Sequence, residues 1–276
     1  MPLSKARRLL SAGAAAAAYL PLAAYADQPR PWEIWHQAAA TSIMETIESF
    51  HAELMVICVF IVVLVLGLLG WCILRFNERA NPTPSRTTHN TMIEVIWTAL
   101  PVMVLVGIAI PSFKLLYDED VIPKADLTVK ATGHQWYWSY EYPDNGDFGF
   151  DSTMIEDKDL KPGQPRLLTA DNHVVLPVGT TIRVITTASD VIHSWAVPAF
   201  GVKIDSVPGR LNETWINIDR PGTYYGQCSE LCGVNHGFMP IEIEAVTKER
   251  YAQWVEEAKK KFASSMPATD SRFAAR

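Results

Sequence analysis

The sequence predicts a two-helix transmembrane hairpin, then an all-β domain (a sandwich or Greek-key barrel) and a C-terminal helix. Three observations support this: two long uncharged runs, a following series of short β-branched and aromatic segments, and one late segment with helical periodicity. We assign residues 1–26 to a signal peptide, 27–114 to an N-terminal segment and the hairpin, 115–264 to an external domain with its helix, and 265–276 to a flexible tail.

The N-terminus has the pattern of a secretory signal peptide. Lys5, Arg7 and Arg8 precede a short alanine-rich apolar stretch that ends in an A-x-A tripeptide at 24–26. Such a start, run and ending are typical of a peptide that is removed on export, here after Ala26. An uncleaved membrane anchor is the alternative. A signal peptide of this kind indicates a bacterial protein.

The two uncharged runs are long enough to cross a bilayer. Residues 54–74 contain no charged side chain, and as a helix they would span about 31 Å. Residues 95–113 form a second such run, and a membrane helix packed against neighbours tolerates its Pro101 and Pro111. Length and absence of charge disfavour the alternative, a pair of buried helices in a soluble core.

The charges beside the runs set the orientation. The loop between them holds Arg75, Arg79 and Arg86 against one acid, Glu78, whereas the segment before the first run is acidic. Basic loops stay in the cytoplasm. Both termini and the C-terminal domain therefore lie on the periplasmic side of the inner membrane.

The residues after the hairpin favour β structure. Their short segments are rich in β-branched and aromatic residues and are separated by Pro-Gly and Gly-Thr turns, as in a sandwich or barrel. A helix follows over 247–263, with Thr247 as its N-cap and Glu249 in its first turn. The predicted strand segments are 127–142, 173–187, 213–218 and 241–246.

Charge and cysteine content exclude some function classes. From residue 115 onward the chain has 23 acidic and 16 basic residues. An acidic domain disfavours nucleic acid as a partner and favours a basic protein. Four cysteines, of which only Cys228 and Cys232 are close in sequence, do not form a disulfide scaffold.

The segment CSELCGVNHGFMP at 228–240 gathers metal-binding side chains. Cys228, Cys232, His236 and Met239 are spaced 4, 4 and 3 residues apart, and the surrounding Gly and Pro residues indicate a loop and not a helix. A disulfide would leave the histidine and methionine unexplained. Zinc stays open, but soft thiolate and thioether ligands favour copper, and two thiolates could bridge two copper ions.

A dicopper site needs a second histidine from another loop. Three of the seven histidines lie before or between the membrane spans, away from an external site. His193, in SDVIHSWAVP, lies at the end of a strand-like run from which a loop could reach the cysteines. We therefore select His193 as the second imidazole ligand.

These stretches resemble subunit II of cytochrome c oxidase. The resemblance covers about residues 40–250 and rests on IHSWAVPAFGVKIDSVPGRLNET, RPGTYYGQCSELCGVNHGFMP, TGHQWYWSYEY and the preceding hairpin. It implies a cupredoxin-like barrel with a dicopper centre, Cu-A, that takes electrons from cytochrome c and passes them to haem in subunit I. Oxygen reduction to water, coupled to proton translocation, would occur in that other subunit.

The resemblance also implies a role for each residue of the loop. Cys228 and Cys232 would bridge the coppers, with His193 and His236 as terminal ligands. Met239 would bind one copper weakly, and the Glu230 carbonyl the other. The Glu230 carboxylate would help to bind a magnesium or manganese ion at the border with subunit I.

Two further residues acquire roles in the same way. Trp136, in HQWYWSYEY, would be the electron entry point, and Glu94, at the start of the second span, would lie at the cytoplasmic mouth of a proton path. An acidic segment follows Trp136 and would attract a basic cytochrome c. Its seven acids are Glu141, Asp144, Asp147, Asp151, Glu156, Asp157 and Asp159.

Several alternatives remain beside this interpretation. The intact ligand set disfavours the related quinol oxidase subunit, and the hairpin disfavours nitrous oxide reductase. A membrane-anchored copper chaperone could use C-x3-C with a histidine, but it would not need Trp136 or Met239. A static zinc-binding domain is the last option. No C-x-x-C-H motif is present, so the donor cytochrome is a separate protein.

Overall fold

The computed structural model describes residues 25–262, so most of the predicted signal peptide and all of the predicted tail lie outside the described residues. Within this range there are three α-helices, α1 (Ser42–Arg75), α2 (Thr91–Asp120) and α3 (Lys248–Phe262). The strands are β1 (Tyr25–Asp27), β2 (Leu127–His134), β3 (Tyr137–Tyr142), β4 (Phe148–Ser152), β5 (Val174–Pro177), β6 (Ile182–Ala188), β7 (His193–Val197), β8 (Val202–Ser206), β9 (Asn212–Ile216), β10 (Gly222–Cys228) and β11 (Pro240–Val246).

Helices α1 and α2 contain the two predicted spans and are longer than them. Each holds an apolar 18-residue window, none of which is buried inside the chain. Helices that are apolar all round and uncovered by protein suit the bilayer interior. α2 continues past the predicted domain boundary at residue 114 as far as Asp120. Charged residues mark where a helix leaves the hydrocarbon, but they do not end its backbone hydrogen bonding.

The external domain is a β-sandwich. One sheet has the order β5-β11-β10-β7-β8, with β1 paired to the first half of β10, and the other has the order β4-β3-β2-β6-β9. Alternate residues of β3, namely Trp138, Tyr140 and Tyr142, are buried between the sheets. The Trp195 indole of β7 donates a hydrogen bond to the Tyr140 hydroxyl across this core (3.3 Å). The predicted fold class, a two-helix hairpin followed by an all-β domain and a C-terminal helix, is confirmed.

Two predicted strand segments each divide into two strands. Residues 127–142 form the β2–β3 hairpin, in which His134 pairs with Tyr137, so that Gln135 and Trp136 make the turn. Residues 173–187 divide into β5 and β6 around Gly179, whose φ of +58° suits glycine. Strands β1, β4, β7 and β8 lie outside the predicted segments, because runs of three to five residues are too short to establish a period.

The N-terminus of α1 is bonded directly to the sandwich. Thr41 caps the helix by accepting a hydrogen bond from the Met44 N–H (3.1 Å), and its hydroxyl donates to the Phe200 carbonyl (2.8 Å). The Ala40 carbonyl accepts a hydrogen bond from the Asp219 N–H (3.0 Å). The cap residue of a membrane helix is therefore also part of the domain's hydrogen-bond network.

Helix α2 has its own bond to the domain. The Trp215 indole on β9 donates to the carbonyl of Asp118, in the last turn of α2 (3.1 Å). Both membrane helices are thus joined to the sandwich by hydrogen bonds, α1 at its first residues and α2 at its last turn.

A buried carboxylate holds the long connection between β4 and β5. Glu242 on β11 is 3% exposed and accepts a hydrogen bond from the Ala170 N–H (2.7 Å), with the His173 ring 3.5 Å away. Burial raises the pKa of Glu242, and the bond from Ala170 only partly offsets this. The pKa of Glu242 is higher in the folded chain than in the unfolded chain, where it is 4.5, so the protonated side chain stabilises the fold at pH values below 4.5. This stabilisation is lost as the pH rises through the pKa of the folded chain.

Replacing Glu242 with glutamine should therefore stabilise the protein at high pH. The amide oxygen can still accept from the Ala170 N–H, but the side chain no longer has to ionise in a buried site. We expect a gain of about 1 kcal/mol at pH 8 that shrinks towards pH 4.5. Thermal unfolding of the full chain in detergent at both pH values would measure it. An equal difference at the two pH values would contradict the argument.

Candidate metal centre

The pairing of two strands brings His193 and Cys228 together. Cys228 at the end of β10 lies opposite Trp195 of β7, and His193 precedes Trp195 by two residues on the same face. The ring of His193 is fully buried, and its Nδ1 lies 3.8 Å from the Cys228 sulfur. His193 was predicted to lie at the end of a strand-like run, whereas it is the first residue of β7. Its ring nevertheless lies beside the Cys228 sulfur.

The loop after β10 brings in three more donor groups. The Cys232 sulfur lies 3.9 Å from the Cys228 sulfur, 3.6 Å from Nδ1 of His236 and 3.6 Å from the Met239 sulfur. The Cys228 N–H bonds to the Met239 carbonyl and closes the loop (3.3 Å). Residues that are distant in an extended chain therefore converge on one point.

Glu230 contributes its backbone to the same point. Its carbonyl accepts a hydrogen bond from the Cys228 thiol (3.4 Å), while its carboxylate is exposed. The carbonyl and the carboxylate thus face different surroundings, one the sulfur cluster and the other the surface.

Neither cysteine forms a disulfide, and the pKa values of their thiols are shifted in opposite directions. Burial raises the pKa of Cys228, but hydrogen bonds from His193 and from backbone groups outweigh it, so the pKa lies well below the usual range. Burial and the neighbouring Cys228 thiolate raise the pKa of Cys232. The surroundings therefore favour ionisation of Cys228 over Cys232, and a metal that binds both sulfurs would displace the protons they hold.

The donor set fits a soft metal. Nδ1 of His193 and the two sulfurs all lie within 4.8 Å of one another, the one such cluster among residues 25–262. Sulfurs 3.9 Å apart can share an ion, since metal–thiolate bonds are about 2.3 Å long. A thioether beside two thiolates and two imidazoles is typical of copper and not of structural zinc.

Trp136 contacts this cluster from the β2–β3 turn. Its indole N–H lies 3.3 Å from the Cys232 carbonyl, and the Gln135 side-chain amide donates to the same oxygen (2.7 Å). Gly233 has a φ of +125°, and a Cβ there would lie 2.9 Å from a ring carbon of Trp136. The half-buried indole therefore packs on the backbone that follows Cys232.

Asp190 belongs to the site but was not selected from the sequence. It contacts both His193, three residues later, and the backbone of Gln135. An acid three residues before a candidate histidine ligand is the one signal that could have identified it.

The acidic segment does not form one surface beside Trp136. Asp151 lies towards the turn, because its partner Ser139 follows Trp136 by three residues. Asp144 instead accepts a hydrogen bond from the Thr128 N–H (2.6 Å), about 23 Å from Gln135 along β2. Only those acids of the segment that lie towards the turn, such as Asp151, could therefore contribute to docking near Trp136.

Glu94 lies at the far end of the hairpin. In the first turn of α2, its carboxylate accepts a hydrogen bond from the Asn90 N–H (3.2 Å), and Asn90 caps the helix. About 39 Å of helix separates Glu94 from Asp120. Glu94 is thus remote from the sulfur cluster, and any function it has is separate.

Comparison with known proteins shows similarity along most of the chain. Residues 127–246 match the family model "Cytochrome C oxidase subunit II, periplasmic domain", and residues 29–115 match the transmembrane domain of the same subunit. A probable cytochrome c oxidase subunit 2 of Rickettsia bellii is 54% identical over 84% of this chain and 86% of its own length. Cytochrome c oxidase subunit 2 of Zea mays is 51% identical over 84% and 92%.

A solved structure is similar to the external part. It is the periplasmic domain of subunit II of cytochrome oxidase (CoxB) of Bradyrhizobium japonicum, 62% identical. The match covers 51% of this chain and 99% of that one, with a TM-score of 0.49.

Proposed function

Since the chain belongs to the cytochrome c oxidase subunit II family, we propose that it accepts electrons from cytochrome c at a dicopper Cu-A centre and passes them to haem in subunit I. The observation that carries this proposal is the convergence of two thiols, two imidazoles, a thioether and a carbonyl on one buried point. The chain would be one subunit of an oxidase, with the oxygen-reducing site elsewhere.

The donor residues would bind copper in different ways. The Cys228 and Cys232 sulfurs would be shared between the ions, and His193 and His236 would each present Nδ1. Met239 and the Glu230 carbonyl would be weaker ligands on either side. Such a centre supplies reversible one-electron transfer with the charge spread over two metals. The sandwich holds the ligands in fixed positions, so little rearrangement accompanies transfer.

Electron entry is assigned to Trp136. Its ring is partly exposed on one side and contacts the Cys232 backbone on the other. Exposed apolar side chains lie close by in the two ligand loops, including Ile192, Leu231 and Val234. Exposed apolar groups around a binding aromatic suit a protein partner. A basic cytochrome c would dock here, guided by those acids of 141–159 that lie at this end.

The remaining assignments concern the membrane side. The hairpin would anchor the domain at a bacterial inner membrane, and the charge distribution of the sequence supports a periplasmic location for the domain. The exposed Glu230 carboxylate is available for magnesium or manganese at the border with subunit I. Glu94, at the opposite end of α2, would lie at the entrance of the proton path that couples oxygen reduction to proton translocation.

Copper loading of the full chain in detergent tests this function. We expect two coppers per chain and an EPR spectrum of one unpaired electron shared by both. Cys228→Ser should abolish this signal, because one sulfur cannot hold both ions in this way. Cys58→Ser, on the exposed surface of α1, is the matched control and should keep it.

Other outcomes would assign a different function. A colourless chain that binds a single Cu(I) would support a membrane-anchored copper chaperone. A chain that retains zinc in preference to copper would support a static zinc-binding domain. Either result would rule out the electron-relay proposal.

A further inference from the structure

The carboxylate of Asp190 links two separate parts of the metal centre. One oxygen, Oδ1, accepts hydrogen bonds from Nε2 of His193 (2.9 Å) and from the Val191 N–H (2.7 Å). The other, Oδ2, accepts from the Gln135 N–H in the β2–β3 turn (2.7 Å). Val191 and His193 follow Asp190 on its own segment, whereas Gln135 belongs to a distant one.

The first contact orients the ring of His193. An ionised carboxylate only accepts hydrogen bonds, so Nε2 of the ring carries the proton that it donates to Asp190. The same orientation points Nδ1 at Cys228, 3.8 Å from the sulfur. Hydrogen bonds of this kind fix the tautomer and the ring orientation of metal-binding histidines.

The second contact reaches the other ligand loop. Gln135 receives its backbone bond from Asp190, and its side chain donates to the Cys232 carbonyl (2.7 Å). Trp136, the next residue, contacts the same carbonyl. His193 on one loop and Cys232 on another are therefore connected through Asp190 and the turn.

We propose that Asp190 is a positioning residue that holds His193 and the Gln135–Trp136 turn in a single arrangement around the metal. The inference rests on the proposed function for the identity of the metal. The Asp190 carboxylate would thereby orient the ligand His193 and hold the electron-entry residue Trp136 in place.

The experiment uses the full chain in detergent with two readouts. The hydrogen bond made by the Nε2 proton of His193 is measured by NMR of the ring nitrogens in the metal-free chain. The rate of copper loss to a chelator is measured in the loaded chain. Asp190→Ala should shift the Nε2 resonance by removing this bond and should speed copper loss about tenfold. Asp190→Asn keeps an oxygen for His193 but presents an NH2 group to the Gln135 N–H, so copper loss should be intermediate.

A variant of a nearby acid serves as the control. Asp205→Asn removes an exposed acid on the strand next to His193 and should match the unmodified chain in both readouts. An unchanged Nε2 resonance and unchanged copper loss in both Asp190 variants would overturn the proposal. Weaker cytochrome c binding in those variants would then make Asp190 a docking acid. Absence of the dicopper spectrum in the unmodified chain would instead refute the proposed function, and the Nε2 resonance would still test the positioning.

Discussion

Replacing Trp136 with alanine should slow the reduction of the copper centre by cytochrome c at least tenfold, a rise of about 1.4 kcal/mol in the activation free energy. The indole connects the surface to the backbone of Cys232, with its N–H 3.3 Å from the carbonyl. Removing the ring lengthens the path between donor and metal, and electron transfer weakens steeply with distance. Copper should remain bound, because the Gln135 side chain still holds the same carbonyl.

The measurement is stopped-flow reduction of the purified oxidase complex by reduced cytochrome c. Trp136→Phe keeps an aromatic ring without the N–H and should give an intermediate rate. Trp32→Ala removes a tryptophan that is 97% exposed and makes no contact with the Cys232 carbonyl, and should leave the rate unchanged. A Trp136→Ala complex that is reduced at the normal rate would show that electrons enter elsewhere.

Substituting alanine for Gly133 should weaken copper binding strongly. A Cβ at Gly133 would lie 2.8 to 2.9 Å from three atoms of His193. Gly133 cannot move away, since β2 pairs here with Trp138 on one side and Ala188 on the other. The buried imidazole would have to shift, although Asp190 holds it. We expect the apparent copper affinity to fall about 10- to 100-fold, the size of effect seen when ligand orientation is lost.

A second glycine in the centre offers a close control. Gly237 follows His236 directly, and a Cβ there would meet nothing within 4 Å. Gly237→Ala should therefore bind copper normally. Titration of both variants with a competing chelator would compare them. Equal affinity of Gly133→Ala and the unmodified chain would mean that His193 is not held where the structure shows it.

Much of the centre could be predicted because its ligands are close in sequence. The spacing of Cys228, Cys232, His236 and Met239, together with the Gly and Pro residues between them, indicated one loop of soft donors. His193 was found only because coordination was incomplete without it. The hairpin was predictable for a similar reason, since hydropathy is a local property.

The parts that sequence reasoning missed depend on tertiary contacts. Trp136 lies in a turn whose flanking residues all favour strands, so nothing local marks the reversal. Asp190 is tied to the β2–β3 turn by its bond to Gln135, 55 residues earlier, and an isolated acid carries no such signal. The acids of 141–159 were treated as one surface, whereas Glu141 and Asp151 lie on strands β3 and β4 and the other five lie in the segments that follow these strands.

The bonds between α1 and the sandwich have a consequence for how the molecule is made. Thr41 and Phe200 are 159 residues apart in sequence, so their hydrogen bond cannot form early in synthesis. Asp219, the partner of Ala40, is synthesised later still. The two helices can enter the bilayer long before then, because their insertion depends on local hydropathy alone. Folding of the sandwich around Phe200 and Asp219, and not insertion of the hairpin, is therefore the step that completes the fold.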